Sequence, residues 1–322
     1  MIDRRRFIGA ALTSAIAASP PVRAQQPRIP SIGIPNSGII SRSMPIYMAF
    51  EQRLRELGWV DGRSVRLLYS TYPDEPSALV AEMVHQGVDV IFVTGREVLL
   101  KAASKATQTI PIVMLALNFD PVERGYVASL ARPGGNITGI SGRNLEVGAK
   151  QLELLKEALP RVVRIGVLWD AAAADQLPAI ENAAARLRVE LERVEVRLPY
   201  DFERAFEMLR ERRAECVLVV GSPINYRERA RIAQLALQHQ MPSIDGKAGA
   251  VAGDFIGFGF DLDELFRQTA EYVDKILRGA KPADLPVAQP TKFELVINLK
   301  TAKSLGVTIP QSLLVRADEV IQ

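Results

Sequence analysis

The chain is predicted to fold as two α/β lobes, each a doubly wound parallel sheet, joined by a hinge that the chain crosses several times. Three observations predict this. Strands and helices alternate strictly, the strands are continuously apolar, and the order of elements repeats once at an offset of about 130 residues. Strict alternation implies parallel strands with right-handed crossovers, which place helices on both faces of each sheet. Strands such as Val90-Ile91-Phe92-Val93 and Val217-Leu218-Val219-Val220 have no polar side, as strands covered on both faces should. The offset is far too long for a solenoid and indicates a duplicated domain.

The first 24 residues are set apart from the fold. Arg4, Arg5 and Arg6 precede an apolar run from Phe7 to Ala18, Pro20-Pro21 breaks it, and Val22-Arg23-Ala24 offers a signal-peptidase site. An export signal cleaved after Ala24 is expected, and Arg4-Arg5-Arg6-Phe7-Ile8 also fits the twin-arginine pattern. The apolar run is shorter than the roughly 20 residues a spanning helix needs, and no later segment is long and apolar enough. Membrane insertion of the processed chain is therefore not expected.

The first lobe is expected over residues 25–138. It opens on the strand Ile32-Gly33-Ile34, and Ile46, Phe50, Leu54 and Leu57 then recur at helical spacing until Gly58. A strand from Val65 to Tyr69 follows, then a helix from Ser77, a capping residue type, to His85. The strand Val88 to Thr94, the helix Val98 to Thr107 and the strand Ile110 to Val113 complete it. Gly134-Gly135-Asn136-Ile137-Thr138-Gly139 reads as an extended crossing to the second lobe, expected over residues 139–250.

There the order repeats. Arg164 to Trp169 is a strand, Ile180, Ala184, Leu187 and Leu191 form a helical stripe, and Val194 to Arg197 is again a strand. Helix Phe202 to Arg212, strand Cys216 to Val220, helix Ile224 to Gln238 and strand Met241 to Ile244 follow. Gly33 matches Gly166, and Thr94-Gly95 matches Gly221-Ser222. Residues 251–288 are expected to return to the first lobe, with a strand Phe255 to Phe258, a helix Asp261 to Leu277 and a Pro-rich linker Pro282 to Pro290. Residues 289–322 are expected to cross back, giving three inter-lobe connections.

Charge and chemistry exclude several classes. The formal net charge is +3, and Arg4, Arg5, Arg6 and Arg23 against Asp3 account for it, so the processed chain is near neutral. No nucleic-acid partner is implied, because that footprint needs clustered basic residues. Cys216, the single cysteine, excludes an internal disulfide and sits in an apolar strand as a small hydrophobe. The two histidines, His85 and His239, lie near helix ends, so no His-based triad or metal cluster assembles. No phosphate-binding glycine motif follows either opening strand. Neither catalysis nor a cofactor is expected.

Binding is better supported. In parallel sheets ligands bind outside the carboxyl ends of the strands, and two such edges facing one another form a cleft. From the first lobe these ends offer Asn36, Ser37, Thr94, Gly95, Asn118 and Asp120; from the second, Trp169, Asp170, Ser222, Pro223, Asn225, Tyr226 and Asp245. Small polar residues beside helix starts suit a carboxylate, though the same types are preferred there as caps. Asp120, Asp170 and Asp245 are candidates for an ammonium, and Trp169 or Tyr226 for covering an apolar group. Phe119 fits a wall or a core position equally.

Two stretches carry a family resemblance: Arg132-Pro133-Gly134-Gly135-Asn136-Ile137-Thr138-Gly139, and Gln289-Pro290-Thr291-Lys292-Phe293-Glu294-Leu295-Val296-Ile297-Asn298-Leu299-Lys300-Thr301-Ala302. With Gly58-Trp59-Val60-Asp61-Gly62 and Leu313-Leu314-Val315-Arg316-Ala317-Asp318-Glu319, the chain resembles ABC transporter substrate-binding proteins related to the tryptophan/tyrosine-type importers. The resemblance implies a type I periplasmic-binding fold, a small-molecule ligand between the lobes, and an ABC permease and ATPase as partners. It departs at the pocket, where members often carry Tyr at Phe258, an aromatic near Asp245, and His at Tyr226. A periplasmic sensory module and an exported α/β enzyme are the alternative readings.

Overall fold

Parallel pairing of short apolar strands builds two separate sheets. The computed structural model describes residues 28–36, 41–71, 75–142 and 144–322. The expected export signal and Ser37 lie outside the described residues. Strands β1 (Ser31–Asn36), β2 (Arg66–Thr71), β3 (Val90–Thr94), β4 (Ile112–Ala116) and β5 (Ile137–Ser141) form the first sheet in the order β2-β1-β3-β4-β5. All four pairings are parallel. Helices α1 (Pro45–Glu56), α2 (Pro76–His85) and α3 (Glu97–Ala106) make the crossovers.

The second lobe begins with α4 (Asn144–Ala158) and β6 (Arg164–Trp169), then a 3₁₀ turn over Ala171–Gln176 and α5 (Leu177–Leu187). The chain continues through β7 (Glu190–Glu195), α6 (Phe202–Glu211), β8 (Cys216–Val219), α7 (Pro223–Gln238), β9 (Ser243–Asp245), α8 (Lys247–Ala252) and β10 (Ile256–Gly259). After α9 (Leu262–Leu277) come β11 (Glu294–Asn298), α10 (Leu299–Ser304), α11 (Gln311–Arg316) and β12 (Glu319–Ile321). The second sheet runs β12-β11-β10-β9-β8-β6-β7, and β11 is antiparallel to β10.

The duplication is visible in how the lobes are packed. A Cβ on Gly33 of β1 would stand 2.8 Å from Met83 Sδ of α2, and one on Gly166 of β6 would stand 2.8 Å from Leu209 Cδ2 of α6. Each lobe thus spends the central glycine of its opening strand on the same close approach of the helix after its second strand.

Helix α9 belongs to the first lobe although it follows the second lobe's strands. Its Phe266 meets Tyr47 and Phe92 edge-on, with ring centroids 5.2 and 5.7 Å apart, and Phe92 stacks on Phe50 at 4.7 Å. These rings, with Ile32 and Val273, are the core on that face of the sheet. Met83, Leu100 and Met114 fill the other face.

Several expectations change; Leu191, expected on a helical stripe, lies in β7, which ends at Glu195 and not at Arg197. The stretch ending at Gly139 is not a crossing: Ile137–Ser141 pairs with β4 as an edge strand, so the division expected at 138/139 falls inside β5. The return expected at 251 comes only after Gly259, because β10 pairs with both β9 and β11. The helix expected to be capped by Ser77 starts at Pro76 behind Glu75, and no side chain caps it. Three connections join the lobes, between β5 and α4, between β10 and α9, and between α9 and β11.

Candidate functional site

A cleft opens between the carboxyl edges of the two sheets. The end of β3 supplies Thr94 and Gly95, and the loop after β4 supplies Leu117 and Asn118. Opposite them, the loop after β8 brings Gly221, Ser222 and Pro223, α7 brings Tyr226, and the end of β9 brings Asp245. Much of the wall is aromatic: Phe258 and Phe260 flank the second crossing, and Phe266 and Tyr226 complete it.

The polar groups are held before any ligand arrives. Ser222 caps α7 by accepting from Asn225 N at 3.2 Å, and its hydroxyl donates to Asp170 Oδ2. Gln176 Nε2 donates to Gly221 O and Gln151 Nε2 to Phe258 O, both at 2.8 Å. Lys247 is held by Glu294 and Asp261 at 2.5 and 2.7 Å, so its charge is already matched by two carboxylates. The carboxyl of Asp245 is only 7% exposed, and burial raises it above the ordinary range, opposed by the Gly246 N–H and by Arg229.

Polar side chains of the first lobe reach across the cleft. Asn118 Nδ2 donates to Gly221 O at 3.2 Å and to Ala172 O at 3.3 Å, and Arg124 pairs with Asp175. The guanidinium and its carboxylate are each more than two-fifths exposed, which places the pair among those worth about 1 kcal/mol or less. Such a contact biases the angle between the lobes without locking it.

Thr94, Gly95, Asn118, Ser222, Pro223, Tyr226 and Asp245 therefore meet in one cleft. Asp120, Trp169, Asp170 and Asn225 do not. Asp120 is exposed and accepts from Val122 N and Glu123 N, so it is a turn cap. Trp169 packs half-buried on the second lobe's core. Asp170 faces a separate pocket with Arg96 and Tyr200, and burial raises its carboxyl against the Ser222 and Ala172 donors. Asn225 is fully buried with Nδ2 on Val220 O, and Phe119 is a core residue stacked edge-on with Tyr126. Asn36 ends β1, as expected of a strand-end residue.

Sequence reading missed Gln151, Gln176, Phe260 and Phe266. Gln151, Phe260 and Phe266 lie on or beside a crossing and Gln176 in the turn after β6, and no local pattern marks which face of such an element meets the other lobe. Among the described residues no group of acidic, histidine and cysteine side chains could hold a metal, and no helix is long and apolar enough to cross a membrane.

A family model and several known proteins match the chain. Residues 43–321 match the family model described as ABC transporter substrate binding protein. A tyrosine-binding protein of Clostridioides difficile strain R20291 is 27% identical over 263 residues, covering 80% of this chain and 75% of that protein. A conserved domain protein from Vibrio cholerae superposes with a TM-score of 0.79 at 26% identity, over 91% of this chain and all of that one. The ABC domain from Streptococcus pneumoniae, solved in complex with L-Trp, superposes with a TM-score of 0.77 at 25% identity and the same coverage.

Proposed function

The chain belongs to the ABC transporter substrate-binding protein family, and from that premise we propose that it is an exported receptor that captures an aromatic amino acid for import. The family and its relatives are substrate-binding proteins and not enzymes. The observation that carries the ligand class is a cleft with an aromatic wall and a single buried carboxylate facing it. Tyr226, Phe258, Phe260 and Phe266 offer flat apolar surface for a ring, and Asp245 offers a counter-charge for an ammonium. Lys247 is already paired with Glu294 and Asp261. The ligand carboxylate is therefore assigned to the Thr94 hydroxyl and the backbone N–H groups that open α3. The tyrosine-binding and L-Trp-bound relatives support the same class.

A thermal-shift screen over amino acids, keto acids, sugars and purines tests the reading. L-tyrosine or L-tryptophan at a hundred times its dissociation constant adds about 2.7 kcal/mol of stability, while sugars add none. Stabilisation by sugars alone overturns it. Delivery to an ABC permease and its ATPase completes the proposed role, with the mature chain outside the cytoplasmic membrane.

Export sets a second expected result. N-terminal analysis of extracytoplasmic protein gives Gln25 as the first residue, and conversion of Arg4 and Arg5 to lysine stops export if the twin-arginine route is used. An intact Met1 on that material rules out cleavage.

A further inference from the structure

Two buried carboxyls face each other behind the cleft. Asp245 ends β9 and lines the cleft, and Asp254 follows α8 with no exposed surface at all. Between them lies Gly249 of α8, where a Cβ would stand 2.5 Å from Asp254 Oδ2 and 2.9 Å from Asp245 Oδ2. Any side chain at that position would push into the space the two carboxyls share. Ser243 Oγ donates to Asp254 Oδ1, but Asp254 Oδ2 has no hydrogen-bond partner among the described residues.

The surroundings supply charge to one side only. From α7, Arg229 acts on Asp245, and the Gly246 N–H does the same from the turn into α8. Lys247, at the start of α8, is committed to Asp261 and Glu294. Where β11 meets α10, Asn298 and Thr301 are neutral and donate to Ala250 O and Gly253 O. From β9, Ser243 reaches Asp254 as a neutral donor, and no cation among the described residues acts on Asp254. Two carboxylates this close in a dry site do not both ionise near neutral pH. Burial raises both carboxyls, and the charge on Asp245 raises Asp254 further.

We propose that Asp254 is a positioning residue for ligand binding: it shares one proton with Asp245, so that the pair presents a single negative charge to one ammonium group in the cleft. The proton resides on Asp254, whose Oδ2 is the atom otherwise without a partner, and Asp245 turns its charge to the ligand. A neutral pair has no charge for the ligand, so binding fails as pH falls and the second proton arrives. The inference rests on the reading that Asp245 meets an ammonium group, and it adds the residue that sets the charge there.

The test uses the mature chain labelled with carbon-13 at aspartate carboxyls, titrated without ligand from about pH 4 to about pH 9, a range that spans both ionisations. The wild type should show one carboxyl still protonated at neutrality and two linked steps, and Asp254→Asn should leave one step. Two carboxyls fully ionised at about pH 6 would overturn the proposal, and this reading needs only the wild type. With L-tyrosine as the probe, affinity should fall about tenfold for each pH unit below the Asp245 step, with uptake of a proton measured calorimetrically on release of ligand. If the carboxyls share a proton but neither L-tyrosine nor L-tryptophan binds, the aromatic amino-acid reading fails and the ligand part of this proposal with it. If L-tyrosine binds and both carboxyls are ionised, this proposal alone fails.

Discussion

Replacing Gly139 by alanine is expected to destabilise the protein by more than about 4 kcal/mol, a large share of the stability of an ordinary domain. Gly139 sits in β5 with φ at +136°, a region that side chains avoid. A Cβ there would stand 2.1 Å from Met114 O and 2.7 Å from Met114 N, inside the backbone of β4. No rotamer relieves a clash with backbone, so either the strand pair separates or the sheet loses its edge. Gly139 O also accepts from Ala288 N, which ties the third connection to the first lobe. Chemical denaturation or soluble yield reads the effect. A variant with the wild-type midpoint would show that β5 is not packed against β4 in this way.

The second large effect falls on binding. Asp245→Asn removes the buried charge facing the cleft while preserving its shape, and should weaken L-tyrosine or L-tryptophan by about 30-fold or more, the scale of about 2 kcal/mol seen when a buried charge loses its partner. The same change should not destabilise the free protein. Asp245 and Asp254 bind protons more tightly folded than unfolded, so their contribution is fully present below the unfolded carboxylate range and is lost as pH rises through their raised folded values. At neutral and alkaline pH the variant is therefore as stable as the wild type or more so. Loss of affinity together with a lowered melting temperature at about pH 8 would show that Asp245 acts structurally and not as the ligand's counter-charge.

Local pattern carried most of the fold. Apolar strands at regular spacing and a repeated order of elements are enough for two doubly wound lobes, because each strand's burial is decided by its own residues. What the pattern does not carry is partnership at a distance. The four residues of β10 look alike whether they join the first sheet or the second, and pairing with β9 on one side and with Glu294–Asn298, nearly forty residues on, on the other holds them in the second. The site divided along the same line. Thr94, Asn118, Ser222 and Asp245 were legible because a strand's carboxyl end is a local property. Trp169 and Asp120 share that property and still miss the cleft, one turned onto its own lobe's core and one spent on a turn. Phe260 and Phe266 reach it from the second crossing and from α9, where hydrophobic spacing predicts burial but not which lobe does the burying.

The placement of α9 has a bearing on how the chain is made. The sheet it covers is complete once Ser141 has been synthesised, yet the ring of Phe266 that closes over Tyr47 and Phe92 is more than a hundred residues away. At about 5–20 residues per second, translation takes several seconds to deliver it. Through that interval α1 packs on this face of the first sheet without the cover that α9 later supplies. Completion of the older half by the younger one makes the order of synthesis different from the order of assembly.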